Sequence, residues 1–333
     1  MISVKKHGVI LSARSSGFDS QAVLNPAVID YEDNIHLFYR GVDANFRSGI
    51  GHCLLIDPLH VLHRLETPVL ESEFEYESQG VEDPRIVHVD NQFYLSYTAY
   101  DGYLALGAVA TSTDLKQFKK QGIIAPKIPY AEFRRVVSKE NVSAKYFRFD
   151  QCSKILWDKN LIFFPRRISG KLAFLHRIRP GIQIAYAKDL TELNTDYWDD
   201  YLRDFATHIV LDPKFEHEVS YIGGGCPPVE TESGWLLIYH SVHDTLSGFI
   251  YSACAALLDL EDPTKVISRL PYPLFKPEED YEKNGDVNNV CFPTGTILRD
   301  NKLYMYYGAA DKQIACASVN IDELINELLK HAK

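Results

Sequence analysis

The chain has 333 residues, 46% of them hydrophobic and 24% charged, which is enough apolar surface for a large core and excludes wholesale disorder. A net charge of −10 argues against nucleic acid as a partner, since that requires a basic footprint. Twenty Tyr and 17 Phe against 2 Met tilt the composition towards strands.

Met1 to His7 holds no apolar core of signal-peptide length, and runs such as Ile162-Phe163-Phe164 are far too short to cross a bilayer. Six cysteines lie scattered without C-x-x-C pairs. The expectation is a cytoplasmic protein with reduced, mostly buried thiols and no membrane partner.

In chain order, five segments share one pattern: a turn-like or Pro-containing entry, an apolar strand, a polar turn and an aromatic strand. The first runs from Asn25-Pro26-Ala27 to Phe38-Tyr39-Arg40, the second from Asp83-Pro84-Arg85 to Phe93-Tyr94-Leu95-Ser96-Tyr97. A weaker third runs from Cys152-Ser153-Lys154-Ile155-Leu156 to Leu161–Phe164, with Asp158-Lys159-Asn160 read as its hairpin turn. The fourth leads from Pro227-Pro228-Val229-Glu230 to Trp235–Tyr239, and the fifth from Phe292-Pro293 to Leu303–Tyr307. Turns such as Asp90-Asn91 and Asp300-Asn301 suit tight hairpins.

Aligned on Tyr39, Tyr97, Phe164, Tyr239 and Tyr307, the copies are about 58, 67, 75 and 68 residues apart, leaving room for a further hairpin in each, such as 105–111 or 250–258. Four strands in each of five units predict an all-β, five-bladed β-propeller, with residues 1–333 forming a single catalytic domain. Residues 131–145 and 196–207 depart from strand patterning and read as short helical insertions, and 321–329 as a C-terminal helix.

Inner strands of a propeller start near its axis, so polar residues at their entries and on nearby loops converge on one funnel. Here these are Asn25, Arg40, Asp83, Arg85, Arg166, Arg167, Arg177, His240 and Asp311. A carboxylic acid there is a candidate proton donor, and Asp83 competes with Glu82; simple alternation along a strand puts only one of the two in the cavity. Arginine forks match phosphate or carboxylate oxygens, so the cationic set indicates an anion site. No His, Cys and carboxylate group has metal-ligand spacing, and no nucleotide-binding fingerprint or nucleophile elbow occurs.

Asn25-Pro26-Ala27, Phe38-Tyr39-Arg40, Gly80-Val81-Glu82-Asp83-Pro84-Arg85, Phe164-Pro165-Arg166-Arg167-Ile168, Gly223-x-Gly225-x-Pro227-Pro228, Gly234–His240 and Tyr307-Gly308-Ala309-Ala310-Asp311 together resemble glycoside hydrolase family 130, the β-mannoside phosphorylases and their hydrolytic relatives. The resemblance spans residues from about 25 to 325 in order and agrees with the propeller reached from the repeats. It implies inverting phosphorolysis of terminal β-mannosides, with a β-1,2 linkage expected, giving α-mannose 1-phosphate. Inorganic phosphate is then the co-substrate, and no other cofactor is needed. By the family pattern Asp83 is the general acid, Asn25, Arg40 and Asp311 contact the mannosyl unit, and Arg167, Arg177 and His240, with the neighbouring Arg166, lie on the phosphate side.

One departure bears on the reaction. Where phosphorylases of the family carry Lys before the Ile-Gly-x-Gly loop this chain has Tyr221, and the Pro-Pro-Ile-Lys-Thr of many relatives reads Pro227-Pro228-Val229-Glu230-Thr231, so that Glu230 stands in place of Lys. This leaves an inverting β-1,2-mannosidase, with Glu230 as its base, as the alternative to phosphorolysis. A non-catalytic carbohydrate-binding propeller is the second alternative. Exposed aromatics at blade edges are compatible with a homo-oligomer.

Overall fold

The computed structural model describes residues 2–148 and 154–332, so Cys152 and Ser153 of the expected third entry lie outside the described residues. Strand β1 (Lys5–Leu11) precedes blade 1, which comprises β2 (Ala22–Tyr31), β3 (Asn34–Val42), β4 (Ser48–Asp57) and β5 (His60–Arg64). Blade 2 is β6 (Gly80–Val89), β7 (Gln92–Tyr100), β8 (Ala105–Ser112) and β9 (Lys119–Ile123). After helix α1 (Tyr130–Val137), blade 3 comprises β10 (Lys159–Phe163), β11 (Leu172–Arg177), β12 (Ile182–Ala187) and β13 (Ile209–Leu211), with α2 (Thr195–Arg203) between its last two strands. Blade 4 has a split inner strand, β14 (Tyr221–Gly224) and β15 (Val229–Thr231), followed by β16 (Gly234–Thr245), β17 (Gly248–Leu258) and β18 (Val266–Arg269). Helix α3 (Asp280–Lys283) leads to blade 5, formed by β19 (Cys291–Arg299), β20 (Lys302–Ala309), β21 (Gln313–Asn320) and, on its outer edge, β1. Helix α4 (Ile321–Leu329) follows.

The molecule is a five-bladed β-propeller with short helical insertions and a helix near its C-terminus. Strands away from the rim are buried on both faces because blades stack on one another: Gly234 to Ser241 of β16, the second strand of blade 4, are all buried, whereas β5 and β9 on the rim are largely exposed or intermediate. One apolar cluster fills each interblade space, such as Phe38, Ile50, Val81 and Leu95 between blades 1 and 2, and Val28, Leu37, Ile297 and Ile314 between blades 5 and 1. Thr294 Oγ1 also donates to the Pro26 carbonyl at 2.7 Å, tying blade 5 to blade 1.

Each blade carries a fully buried carboxylate beside its second strand. Asp19, Glu77, Glu218 and Glu282 accept from the hydroxyls of Tyr39, Tyr97, Tyr239 and Tyr307. A cation from the outermost strand, respectively Arg64, Lys120, Arg269 and Lys6, completes each set. In blade 3 His176 replaces the tyrosine and bonds Asp158 at 2.7 Å, with the Tyr201 hydroxyl of α2 on its other nitrogen. These pins fasten the inner and outer edges of a blade together.

The third repeat is where expectation and structure part. Lys159 begins the inner strand instead of lying in a hairpin turn, and the turn of this blade falls at 166–170, closed by the Ile168–Lys171 bridge. Phe164, aligned with the second-strand tyrosines, lies just beyond the first strand; His176 of β11 is the true equivalent. Among the described residues no helix is long and apolar enough to cross a membrane, and the five described cysteines are free and buried.

Candidate active site

Three inner strands break their register at an Asn or Asp. Shifts fall between Leu24 and Ala27, between Glu82 and Arg85, and between Lys159 and Ile162. At each break the Asx residue adopts a left-handed backbone, with φ of 51° at Asn25, 52° at Asp83 and 57° at Asn160. Asn and Asp tolerate this region best after glycine, and such bulges turn a side chain out of the sheet's alternation. The strain, of order 1–3 kcal/mol per residue, persists where the surroundings fix it, as at functional sites.

The bulges aim these side chains at the axis. Asn25 Nδ2 donates to Asp83 Oδ1 at 2.7 Å. Arg40, on β3, places Nη1 3.4 Å from the same Asp83 oxygen and Nη2 2.6 Å from Glu82 Oε1, while its Nε donates to Ser48 Oγ at 2.8 Å. The expectation that alternation lets only one of Glu82 and Asp83 into the cavity is therefore wrong: the bulge at Asp83 breaks the alternation, and both reach Arg40.

Burial by itself would raise the Asp83 carboxyl, but Arg40, Lys159 and the Asn25 amide hold it below its ordinary value. Asp311, in the turn after β20 with φ of 50°, is pushed up to about 6 by burial and by the charge of Asp83, against the pull of Arg40. Two neighbouring carboxyls are thus driven apart, one towards the ionised and one towards the neutral form.

Facing this acidic end is a cationic one. Arg177, ending β11, is pushed down to about 10 by burial and by the charge of Arg179. Lys159 is lowered by burial, against the attraction of Glu82 and Asp83. His240, on β16, is held neutral, first by burial and then by the charges of Arg177 and Arg85. It packs on Phe292, with ring centroids 4.4 Å apart. Gly223 is required here, because a Cβ would come within 2.5 Å of the His240 ring and 2.6 Å of Asn160 Nδ2.

Several buried polar atoms along this wall have no hydrogen-bond partner among the described residues: Asn25 Oδ1, Asn160 Nδ2, Arg85 Nη2, Arg177 Nε and both ring nitrogens of His240. Unmet polar atoms in a buried site cost about 1–3 kcal/mol each, and those gathered on this wall are available to a ligand.

The structure brings Asn25, Arg40, Asp83, Arg177, His240 and Asp311 to one funnel and separates the other expected residues from it. Arg167 pairs with Asp90 at 2.5 Å, in the β6–β7 turn, about 20 Å along β6 from Asp83. Arg166 pairs with Glu230 at 2.9 Å and with Glu261 at 3.3 Å, all three at least a third exposed, and lies over the Trp235 ring. The structure thus places Arg166, Arg167 and Glu230 in ion pairs outside the funnel, apart from Arg177 and His240; the shifted alignment of the third blade put the outer turn in the place of the funnel.

The residues that belong there instead are Lys159 and Asn160, with Arg85 and Glu82. The signal was present: Leu24-Asn25, Glu82-Asp83 and Lys159-Asn160 each place an Asx at the head of an apolar strand. His217, Glu218 and Cys254 bring ligand atoms within 4.8 Å of one another, a group that spacing had not suggested. The Arg269 guanidinium already supplies the cation there, 2.6 Å from Glu218, so the group is the pin of blade 4 and not a metal site.

A family model described as β-1,4-mannooligosaccharide phosphorylase matches residues 11–330. A 1,2-β-oligomannan phosphorylase of Thermoanaerobacter sp. (strain X514) is 32% identical over 95% of this chain and 96% of its own length. A β-1,2-mannobiose phosphorylase of the same strain is 33% identical over 92% and 93%. Among solved structures, β-1,2-mannobiose phosphorylase from Listeria innocua, in complex with β-1,2-mannobiose, superposes with a TM-score of 0.75 at 24% identity, covering 98% of this chain and 99% of that one. With a match over nearly its whole length, the chain belongs to glycoside hydrolase family 130.

Proposed function

We propose that the protein phosphorolyses terminal β-mannosides, β-1,2-linked manno-oligosaccharides first among them, and releases α-mannose 1-phosphate. The observation that carries this reading is the division of one funnel between an acid, Asp83, and a cationic wall of Lys159, Arg177 and His240 with unmet buried donors. Its relatives are named for the same reaction on the same linkage.

In this mechanism a phosphate oxygen attacks the anomeric carbon from the cationic side as the bond to the glycosidic oxygen breaks, inverting the configuration. Asp83 gives its proton to the leaving oxygen and recovers one from the monohydrogen phosphate, so none is gained or lost overall. Asp83 sits low in the unliganded site because of Arg40, Lys159 and Asn25. Phosphate on Lys159 and Arg177 offsets part of that positive field, so loading the co-substrate raises Asp83 and arms it as an acid. Phosphate needs no base to act as nucleophile, in keeping with the exposed pairing of Glu230. The buried free thiols support a cytoplasmic setting, where phosphate is available.

The test is incubation with β-1,2-mannobiose with and without phosphate. Mannose 1-phosphate is expected only with phosphate, and Asp83→Asn should lower turnover about 10²–10⁴-fold. Equal mannose release without phosphate would establish hydrolysis instead.

A further inference from the structure

Arg177 ends β11, and Arg179 follows two residues later in the turn to β12. Both guanidinia address one aromatic ring: Arg179 Cζ lies 4.2 Å and Arg177 Cζ 5.2 Å from the centroid of Tyr221. The Tyr221 hydroxyl is itself fixed, 2.8 Å from that of Tyr251. Among the described residues no carboxylate comes within ion-pair distance of either guanidinium. Asp158, whose charge acts on Arg177, is committed to His176 and to the backbone N–H of Arg177.

Two like charges gathered at one ring without a counter-ion are costly. A cation over an aromatic face recovers about 0.5–2 kcal/mol, less than the desolvation of a buried charge. An anion beside them would offset that cost, and Arg177 Nε and both His240 ring nitrogens, in the same electrostatic neighbourhood, have no hydrogen-bond partner among the described residues. Arg179 is less buried than Arg177. Its charge also acts on His240 and Tyr251, which puts it on the same site.

We propose that Arg179 is a second guanidinium for the phosphate co-substrate, and that Tyr221 is a positioning residue which holds Arg177 and Arg179 as a two-armed clamp on it. The clamp rests on the phosphorolysis reading above. A lysine at position 221 would bring its own charge to the site; Tyr221 brings none, and organises two arginines in its place. The ligand class is a tetrahedral oxyanion carrying two negative charges: free phosphate in phosphorolysis, and the phosphoryl group of mannose 1-phosphate in synthesis.

The test uses the full-length protein and initial rates at saturating β-1,2-mannobiose with varied phosphate, then the converse. Arg179→Ala should raise the KM for phosphate about 10–100-fold while the KM for mannobiose stays within about twofold, a split that mere destabilisation does not give. Arg179→Lys should recover part of the loss, because it restores charge without the fork. Tyr221→Phe, which keeps the ring face, should stay near wild type, and Tyr221→Leu should behave like Arg179→Ala. If Arg179→Ala fails to fold by circular dichroism, Arg179→Gln and the Tyr221 pair decide. A KM for phosphate unchanged within about twofold in the Arg179 variants, or a rise shared equally with mannobiose, overturns the clamp. Wild-type turnover independent of phosphate would overturn the phosphorolysis reading itself, a result seen before any variant is made.

Discussion

Exchanging Tyr307 for Phe and Lys6 for Met tests whether the buried carboxylates hold the blades together. Glu282 is fully buried and accepts from Lys6 Nζ at 2.6 Å, from the Tyr307 hydroxyl at 2.7 Å, and from the backbone N–H groups of Glu278 and Glu279 at 2.7 and 2.9 Å. Tyr307→Phe keeps the ring and opens no cavity, so it costs one hydrogen bond to a charged group and a long 3.4 Å one with the Tyr281 hydroxyl. With three donors left on the carboxylate, this comes to about 1.5 kcal/mol, the lower end of the range for such bonds. Lys6→Met keeps most of the stem's packing but strips the counter-ion from a buried charge, a loss of about 3 kcal/mol. Because both act on one carboxylate, the double variant should depart from additivity by about 0.5 kcal/mol or more.

Urea unfolding followed by tryptophan fluorescence reads these losses, and turnover of mannobiose checks that the funnel is intact. The same series has a pH signature. Burial would raise the Glu282 carboxyl, but the Glu278 N–H, Lys6, the Glu279 N–H and Tyr307 together hold it below its ordinary value. Its contribution is present above the unfolded-state value and is lost as pH falls through the folded one. Lys6→Met should therefore move acid unfolding to higher pH. Stability within about 0.5 kcal/mol of wild type in both variants, with an unmoved acid transition, would refute the idea that the pins carry stability.

Arg166→Ala, Arg167→Ala and Glu230→Gln should each leave kcat and the KM for phosphate within about twofold, since these residues pair with one another or with Asp90 and Glu261 away from the funnel; steady-state kinetics decides. Asp311 keeps its proton in the folded protein up to about pH 6 and loses it near 3.8 in the unfolded chain. The unliganded fold should therefore lose at most about 3 kcal/mol between pH 4 and 7 from this group, and Asp311→Asn should flatten that slope in urea titrations. Tyr103 is 84% and Trp157 37% exposed, joined by a 3.0 Å bond from the indole N–H to the Tyr103 carbonyl, and Lys159 Nζ stands 5.3 Å from the Trp157 ring. If this pair stacks on sugars beyond the cleaved bond, Trp157→Ala should lower kcat/KM for mannotriose about tenfold more than for mannobiose.

The five-fold repeat, both helical insertions and the helix at 321–329 were legible because strand hairpins and amphipathic helices write themselves in local periodicity. The placing of Asp83, Asn25, Arg40, His240 and Asp311 on one funnel was legible because they belong to repeats whose first and second strands aligned correctly. The error in blade 3 has one cause. An Asn with positive φ makes a hairpin turn at Asn91 and Asn301 but a strand bulge at Asn25 and Asn160, and a single local sequence does not distinguish the two uses. Reading Asp158-Lys159-Asn160 as a turn pushed the frame along by half a hairpin and carried Arg166 and Arg167 into the site in place of Lys159 and Asn160. The pins escaped notice because a carboxylate, a tyrosine and a cation in each are brought together only by the stacking of strands, up to 276 residues apart for Lys6 and Glu282.

Strand β1 belongs to the last blade, where Lys5 to Leu11 pair with Ile314 to Ser318 of β21. At a ribosomal rate of ~5–20 residues per second, β1 emerges roughly 15–60 s before its partner exists. Through that interval β1 must stay unpaired while four blades assemble behind it. Its two lysines, Lys5 and Lys6, both open to water before the blade forms, then serve as gatekeepers against strand-to-strand association with neighbouring nascent chains. The ammonium of Lys6 meets Glu282 only when the final blade closes, so one residue keeps the strand soluble during synthesis and locks it at the end.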